Sequence, residues 1–254
     1  MVMAHATLFW PATLGVLGAI FGSFIATLVI RWPEGRSVMH GRSACDGCGR
    51  TLRPRDLVPL VSAILARGRC RSCGARINPL HARIELAAVA IGVAAGVVTA
   101  TPLALAGAAF GWVLLALASL DAIAFWLPDR LTIVLALGGV VTALIGIPPA
   151  PIDRLIGAAA GAGSLWIVAV LYRRLRGREG MGAGDPKLFG AIGLWLGWQP
   201  LPAVLFLASV IGLGFALLLR VRGRAIAADT ALPFGTLLAV AAYPAWLVVI
   251  GAGA

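Results

Sequence analysis

Two carboxylates, Asp121 and Asp185, stand where acids are costly and where they could do chemistry. Asp185 closes the stretch Glu179-Gly180-Met181-Gly182-Ala183-Gly184-Asp185-Pro186-Lys187-Leu188, at the mouth of the apolar run that begins at Phe189. The alternating Gly180, Gly182 and Gly184 carry no side chains and permit φ > 0, so another backbone or an extended peptide can approach the acid. Asp121 sits in Leu117-Ala118-Ser119-Leu120-Asp121-Ala122-Ile123-Ala124, with no basic residue after it before Arg130. An ionisable side chain inside a membrane segment costs about 2.5–3.5 kcal/mol on insertion scales, which makes it a functional candidate. Two such groups brought close cannot both ionise easily, so one keeps a proton while the other is charged. That pairing supplies the acid and the base needed to split an amide with water. The plain alternative is that Asp185 caps a helix and Asp121 bonds a neighbouring Ser or Thr. Asp129, after Pro128, is the rival for the first role, although an acid opening a helix is already explained by the helix dipole. Glu85 reads as a first-turn structural acid, and Asp153 is discounted because the chain threading below puts it on the other side of the membrane.

The second constellation is Cys45-x2-Cys48 and Cys70-x2-Cys73, separated by 21 residues and flanked by Gly47, Gly49 and Gly74. This is close to the spacing of a four-thiolate zinc knuckle, in which the metal is structural because four sulfurs close its coordination sphere. Reduced free thiols and redox chemistry are the alternatives. His40 and His81 lie near the pairs, but four cysteines already suffice, and His5 reads as an exposed terminus.

The elements that must position these groups are membrane helices. With 60% hydrophobic residues, 12% charged residues and 32 glycines in 254 positions, the chain reads as an all-α polytopic membrane protein. Apolar runs at about 8–30, 84–101, 103–123, 130–148, 154–172, 187–199, 201–219 and 231–252 predict eight transmembrane helices. The first lacks a basic n-region and reads as a retained helix. Residues 31–83 hold eleven arginines and all four cysteines, so by the positive-inside rule that loop is cytoplasmic. The division is therefore 1–30, a first transmembrane helix; 31–83, a four-cysteine zinc-knuckle loop; and 84–254, a seven-helix region. Threading alternately puts both termini outside and every basic residue inside except Arg154. Asp121 and Asp185 then share the cytoplasmic side. The net charge of +11 fits contact with anionic lipid rather than nucleic acid, because the basic residues cluster between apolar runs. Leu57 to Leu65 is apolar but too short to span and reads as interfacial or packed. Gly157, Gly161 and Gly163 match small-residue helix packing, not a nucleotide loop.

The ordered set Gly22-Ser23-Phe24 with Arg31 and Pro33, Asp121 with Pro128-Asp129-x-Leu131-Thr132, Glu179-Gly-Met-Gly-Ala-Gly-Asp185-x-Lys187-Leu188, and Pro233-Phe234-Gly235 resembles the type IV prepilin peptidases. These are bacterial inner-membrane aspartic proteases of the Gly-x-Gly-Asp type. The resemblance covers about residues 20–240. It implies that Asp121 and Asp185 are the catalytic pair, with Gly182, Gly184, Asp129 and Lys187 in support. It implies a substrate that is a type IV prepilin or type II secretion pseudopilin, cut after the Gly that ends its basic leader. Many members also methylate the new N-terminal amine using S-adenosylmethionine. The sequence departs from the pattern at Ala26, where the family usually has Asn, so peptidase action alone is the nearer alternative. A proton-coupled transporter using the two acids as a relay is the alternative from another class. No S-adenosylmethionine fold is legible, because the loop has no room for a βαβ sheet, and a donor site would have to be built between loop and helices.

Overall fold

The computed structural model describes residues 2–39, 42–223 and 231–251, with side chains from residue 8 onward. His40 and Arg224 fall outside these residues, as does the side chain of His5. Helices α1 (Val2–Arg31), α3 (Leu80–Thr99), α4 (Leu103–Ala124), α5 (Asp129–Leu144), α6 (Pro151–Arg176), α7 (Gly184–Leu196), α8 (Leu201–Val221) and α9 (Phe234–Gly251) occupy the eight apolar runs. A short α2 (Val61–Leu65) lies in the loop, and no strand forms among the described residues. Six of these helices are long and apolar enough to cross a membrane; α5, with 16 residues, and α7, with 13, fall short of that length. Large apolar side chains such as Phe206, Leu213, Trp166 and Leu171 are exposed along the helices, as lipid-facing surfaces require. The chain is a multi-pass, all-helical membrane protein.

Contacts divide it into two units, Met1–Ala116 and Leu117–Ala254. In the first, α1 and α3 pack so closely that a Cβ on Gly22 would lie 2.7 Å from the Cα of Glu85. Trp112 of α4 stacks on Phe21 and donates its indole N–H to the Ala88 carbonyl. The four-cysteine loop is thus inserted between two helices that embrace each other. Two matching turns build it: the Gly49 N–H bonds the Cys45 carbonyl, and the Gly74 N–H bonds the Cys70 carbonyl. Gly49 (φ 68°) and Gly74 (φ 73°) take the left-handed conformation that these turns need. The apolar segment before Leu65 is too short to span, and it forms α2, with Ile64 and Leu65 exposed.

In the second unit α7 is the buried centre, packed against α5, α6 and α9. Leu188, Phe189, Ile192, Trp195 and Leu196 are buried along its length, and Trp195 donates to the Leu135 carbonyl at 2.7 Å. The small-residue reading of α6 is borne out: a Cβ on Gly161 would come within 2.7 Å of the Phe189 carbonyl oxygen. Gly163 faces open space instead. Arg154, the exception in the count of basic charges, is a buried strut. Its guanidinium donates to the carbonyls of Gly139, Leu194, Ile147, Pro148 and Pro149 and to the Thr142 hydroxyl. It therefore ties together the C-terminal ends of α5 and α7, where unpaired carbonyls favour a cation.

Candidate active site

Asp121 lies in the last turn of α4, buried to 5% exposure. Phe125 ends that helix by returning its N–H to the Asp121 carbonyl at 2.9 Å. The first turn of α9 faces the carboxylate. Helix N-termini leave their first N–H groups without partners, and these attract anions. Thr236, third in α9, donates its backbone N–H to Asp121 Oδ2 at 2.7 Å, and its hydroxyl lies 3.0 Å from the same oxygen. That hydroxyl also lies 2.9 Å from the Ala118 carbonyl oxygen.

Asp185 is the second residue of α7 and is buried to 4% exposure. Its Oδ2 accepts the Gly182 N–H at 3.1 Å, while its own N–H returns to the Gly182 carbonyl. It therefore folds back on the glycine-rich turn and makes no side-chain cap to α7. The two carboxylates lie within Coulombic reach of each other. On the side of the Asp185 turn, the Gly-rich segment and α6 border a groove of about 470 Å³, lined in part by Ala162, Trp166, Val170, Met181 and Gly182.

The glycines serve one of the two purposes expected of them. None of Gly180, Gly182 and Gly184 takes a positive φ. What they provide is close approach: a Cβ on Gly184 would sit 2.7 Å from Leu127 Cβ, and one on Gly180 would press on the Tyr172 ring. Gly235 is held to the same standard, since its Cβ would lie 2.8 Å from Leu127 Cδ1 and 3.1 Å from Asp121 Oδ2. Leu127 is thus wedged between the turn that carries Asp185 and the first turn of α9, which faces Asp121.

Asp129 and Lys187 are brought together as an exposed ion pair at 2.7 Å. Asp129 is the first residue of α5, the acid in its first turn that the helix dipole favours, and Lys187 is a partner the sequence reading did not give it. Glu85 also differs from expectation: it lies in the second turn of α3, buried to 5% exposure, and its Oε2 accepts the Leu60 N–H at 2.8 Å. Asp153 accepts the Trp198 indole N–H and stays apart from the pair. Thr236 and Leu127 were not singled out from sequence, and Gly235 was noted only as part of a motif. A signal for Thr236 was present, in a hydroxyl residue at the third position of a helix opened by Pro233.

Cys45, Cys48, Cys70 and Cys73 converge, their sulfurs all within 4.8 Å of one another. A tetrahedral Zn–S shell of about 2.3 Å bonds requires sulfurs about 3.8 Å apart. Cys45 Sγ and Cys73 Sγ are 3.8 Å apart, so the cluster is of a size to hold a metal ion. The backbone N–H groups of Cys73 and Ser72 converge on the Cys70 thiol and hold it down at about 6, favouring the ligating thiolate.

A multi-pass helical protein with a buried carboxylate pair beside a groove, and a separate four-thiolate centre, is the class that this architecture defines. Residues 108–217 match the type IV leader peptidase family, and residues 16–99 match the bacterial peptidase A24 N-terminal domain. The chain is similar to the prepilin leader peptidase/N-methyltransferase of Burkholderia pseudomallei (strain K96243), 38% identical over 88% of this chain and 81% of the relative. The protein of the same description from Dickeya chrysanthemi is 37% identical over 91% of this chain and 90% of the relative. That of Aeromonas hydrophila is 39% identical over 83% and 73%. No solved structure matches. The chain belongs to the type IV leader peptidase family and is an enzyme of the prepilin peptidase kind. Nothing supports the transporter alternative.

Proposed function

We propose that the protein is an intramembrane aspartyl endopeptidase that removes the basic leader of a type IV prepilin or type II secretion pseudopilin, with Asp121 and Asp185 as its catalytic residues. The observation that carries this reading is the meeting of two buried carboxylates, one on α4 and one on α7, about Leu127, which packs against Gly184 beside Asp185 and against Gly235, whose Cβ position lies 3.1 Å from Asp121 Oδ2. The charged carboxylate takes a proton from water as the water oxygen attacks the scissile carbonyl. The protonated one donates to the developing oxyanion, giving a gem-diol; the carboxyl that took the water proton then passes it to the leaving nitrogen while a gem-diol hydroxyl returns its proton to the other carboxylate as the C–N bond breaks, so the pair ends the cycle sharing one proton again. Gly182 leaves the side of the Asp185 carboxylate that a Cβ there would crowd at 3.3 Å uncovered, and the groove along α6 has the apolar lining that suits the helix following a leader.

The site lies in the bacterial inner membrane with both termini outside and the four-cysteine loop and the acids on the cytoplasmic side, a threading supported by the basic clusters. The four thiolates hold structural zinc. The relatives' names include an N-methyltransferase, and we extend that second activity to this chain, with S-adenosylmethionine supplying the methyl group. In that transfer the lone pair of the freed N-terminal amine forms the new C–N bond. The C–S bond breaks with its electrons going to sulfur, and the amine proton passes to water. Ala26 replaces an amide without removing any acid or thiolate.

Mass spectrometry of the N-terminus of a co-expressed pilin tests the reading. Leader loss in cells with the wild-type enzyme and intact leader with Asp185→Asn are expected; cleavage by the variant at the wild-type rate would sink it.

A further inference from the structure

Residues 177–183 join α6 to α7 without helix or strand, and Glu179, Gly180, Gly182 and Ala183 among them are exposed. The backbone of 179–181 makes no hydrogen bond among the described residues, so its polar groups turn to water and do not fix its course. Only the far end is tied. Gly182 donates its N–H to Asp185 Oδ2 at 3.1 Å and accepts the Asp185 N–H at 3.2 Å. The aim of the Asp185 carboxylate and the path of this segment are therefore set together, and packing has to set the path.

Tyr172 supplies that packing. The chain leaves α6 through Gly177 (φ 66°), whose N–H returns to the Arg173 carbonyl at 2.9 Å, and then doubles back along the helix. It brings Gly180 against the half-buried Tyr172 ring so closely that a Cβ there would lie 2.5 Å from Cδ1 and 3.1 Å from Cζ. At the other end Gly184 meets Leu127, where a Cβ would lie 2.7 Å from the Leu127 Cβ. Two side chains thus grip the segment, one on each side of Gly182 in sequence, and the donor to Asp185 stands between them. The Tyr172 hydroxyl makes no hydrogen bond among the described residues, so the ring is the part in use. Tyr172 also stands outside the groove, whose α6 wall is Trp166, Ala169, Val170 and Arg173.

From this we infer that Tyr172 is a positioning residue for Asp185: its ring seats Gly180 and so fixes where the Gly182 N–H meets the carboxylate. The inference rests on the proposed place of Asp185 in the catalytic pair. It separates the purposes of two neighbouring glycines. Gly180 is bare because of the ring, and Gly182 because a Cβ would crowd Asp185 Oδ2 at 3.3 Å. Without the ring the segment keeps its sequence and its single donor, but the donor no longer has one location. A reacting group displaced by about 1 Å loses on the order of a hundredfold in rate. Because Tyr172 lies outside the groove, that loss falls on the chemical step and spares substrate binding.

The test is cleavage of a prepilin peptide by the full-length, metal-loaded protein in nanodiscs, with kcat and KM taken across pH and expressed per folded protein. Tyr172→Phe, which keeps the ring, should stay within about twofold of the wild type. Tyr172→Ala should lower kcat by about tenfold or more, keep KM within about threefold, and displace the pH–rate profile, which a loss of stability alone would not do. Tyr172→Leu, which keeps apolar bulk without the ring, gives the same reading should the alanine variant not fold. Gly180→Ala should be slow in the same way. The double variant Gly180→Ala, Tyr172→Ala should be no slower than the slower single one, because the new methyl enters space the ring has left. Multiplicative losses, a phenylalanine variant as slow as the alanine one, or a loss confined to KM would each overturn the inference. An inactive Asp185→Asn beside wild-type kinetics for Tyr172→Ala and Gly180→Ala would remove the inference and leave the catalytic pair standing. Wild-type cleavage by Asp185→Asn would remove both.

Discussion

Thr236 donates its backbone N–H to Asp121 Oδ2 at 2.7 Å across 115 residues of sequence, and its hydroxyl stands between that oxygen and the Ala118 carbonyl. A hydroxyl has one hydrogen, so it can serve only one acceptor at a time. When Asp121 is ionised the hydroxyl can donate to it. When Asp121 is protonated, the acid can donate to the Thr236 oxygen, whose hydrogen then turns to Ala118. Thr236 thus accommodates both states of the acid, as the proposed cycle would require of it.

Thr236→Val should lower cleavage about tenfold to a hundredfold, the value of a hydrogen bond to a charged group, and should displace the acid limb of the pH–rate profile. Thr236→Ser should recover most of the rate. Single-turnover cleavage of a prepilin peptide across pH checks both, and equal rates for Val and Ser variants would remove the hydroxyl from the account.

Asp121→Asn and Asp185→Asn should each reduce cleavage by more than about a hundredfold while the protein still inserts and purifies intact. The wild-type profile should be bell-shaped: activity falls at low pH as the base becomes protonated and falls at high pH as the acid loses its proton. A dead Asp129→Asn beside an active Asp121→Asn would reverse the assignment of the pair.

The Asp129–Lys187 pair is exposed on both sides, and such pairs contribute about 0–1 kcal/mol. Asp129→Asn and Lys187→Ala should each slow cleavage by no more than about fivefold, with the double variant no worse than the poorer single one. Rates of the three variants side by side decide it, and multiplicative losses would show that the two residues act separately.

Cys45→Ser should lose the bound metal, measured by elemental analysis of the purified protein, and should open the loop between Arg42 and Pro79 to added protease. The wild type should carry about one zinc ion per chain. Metal content that survives the substitution would show that three thiolates suffice.

Arg154→Ala should destabilise the protein by about 3 kcal/mol or more, because five carbonyls and a threonine hydroxyl lose their donor in a buried place. Thermal unfolding in detergent reads this directly. Arg154→Lys, with one ammonium in place of a five-donor guanidinium, should restore only part.

The sequence by itself determined the eight apolar helices, the thiolate quartet, the small-residue packing of α6 and the two carboxylates worth watching. Each of these is written in local spacing or in the cost of placing a charge among apolar residues, and neither depends on what lies across the bilayer. Tertiary structure alone decided which donors meet those acids, that Asp129 at the start of α5 also pairs with Lys187, and that the glycines near Asp185 yield to Leu127 and Tyr172. It also decided that Arg154 is internal and that Glu85 accepts the Leu60 N–H. Those are pairings between groups tens to more than a hundred residues apart, set by how helices stack, and no periodicity along the chain records which partner a buried polar group will find.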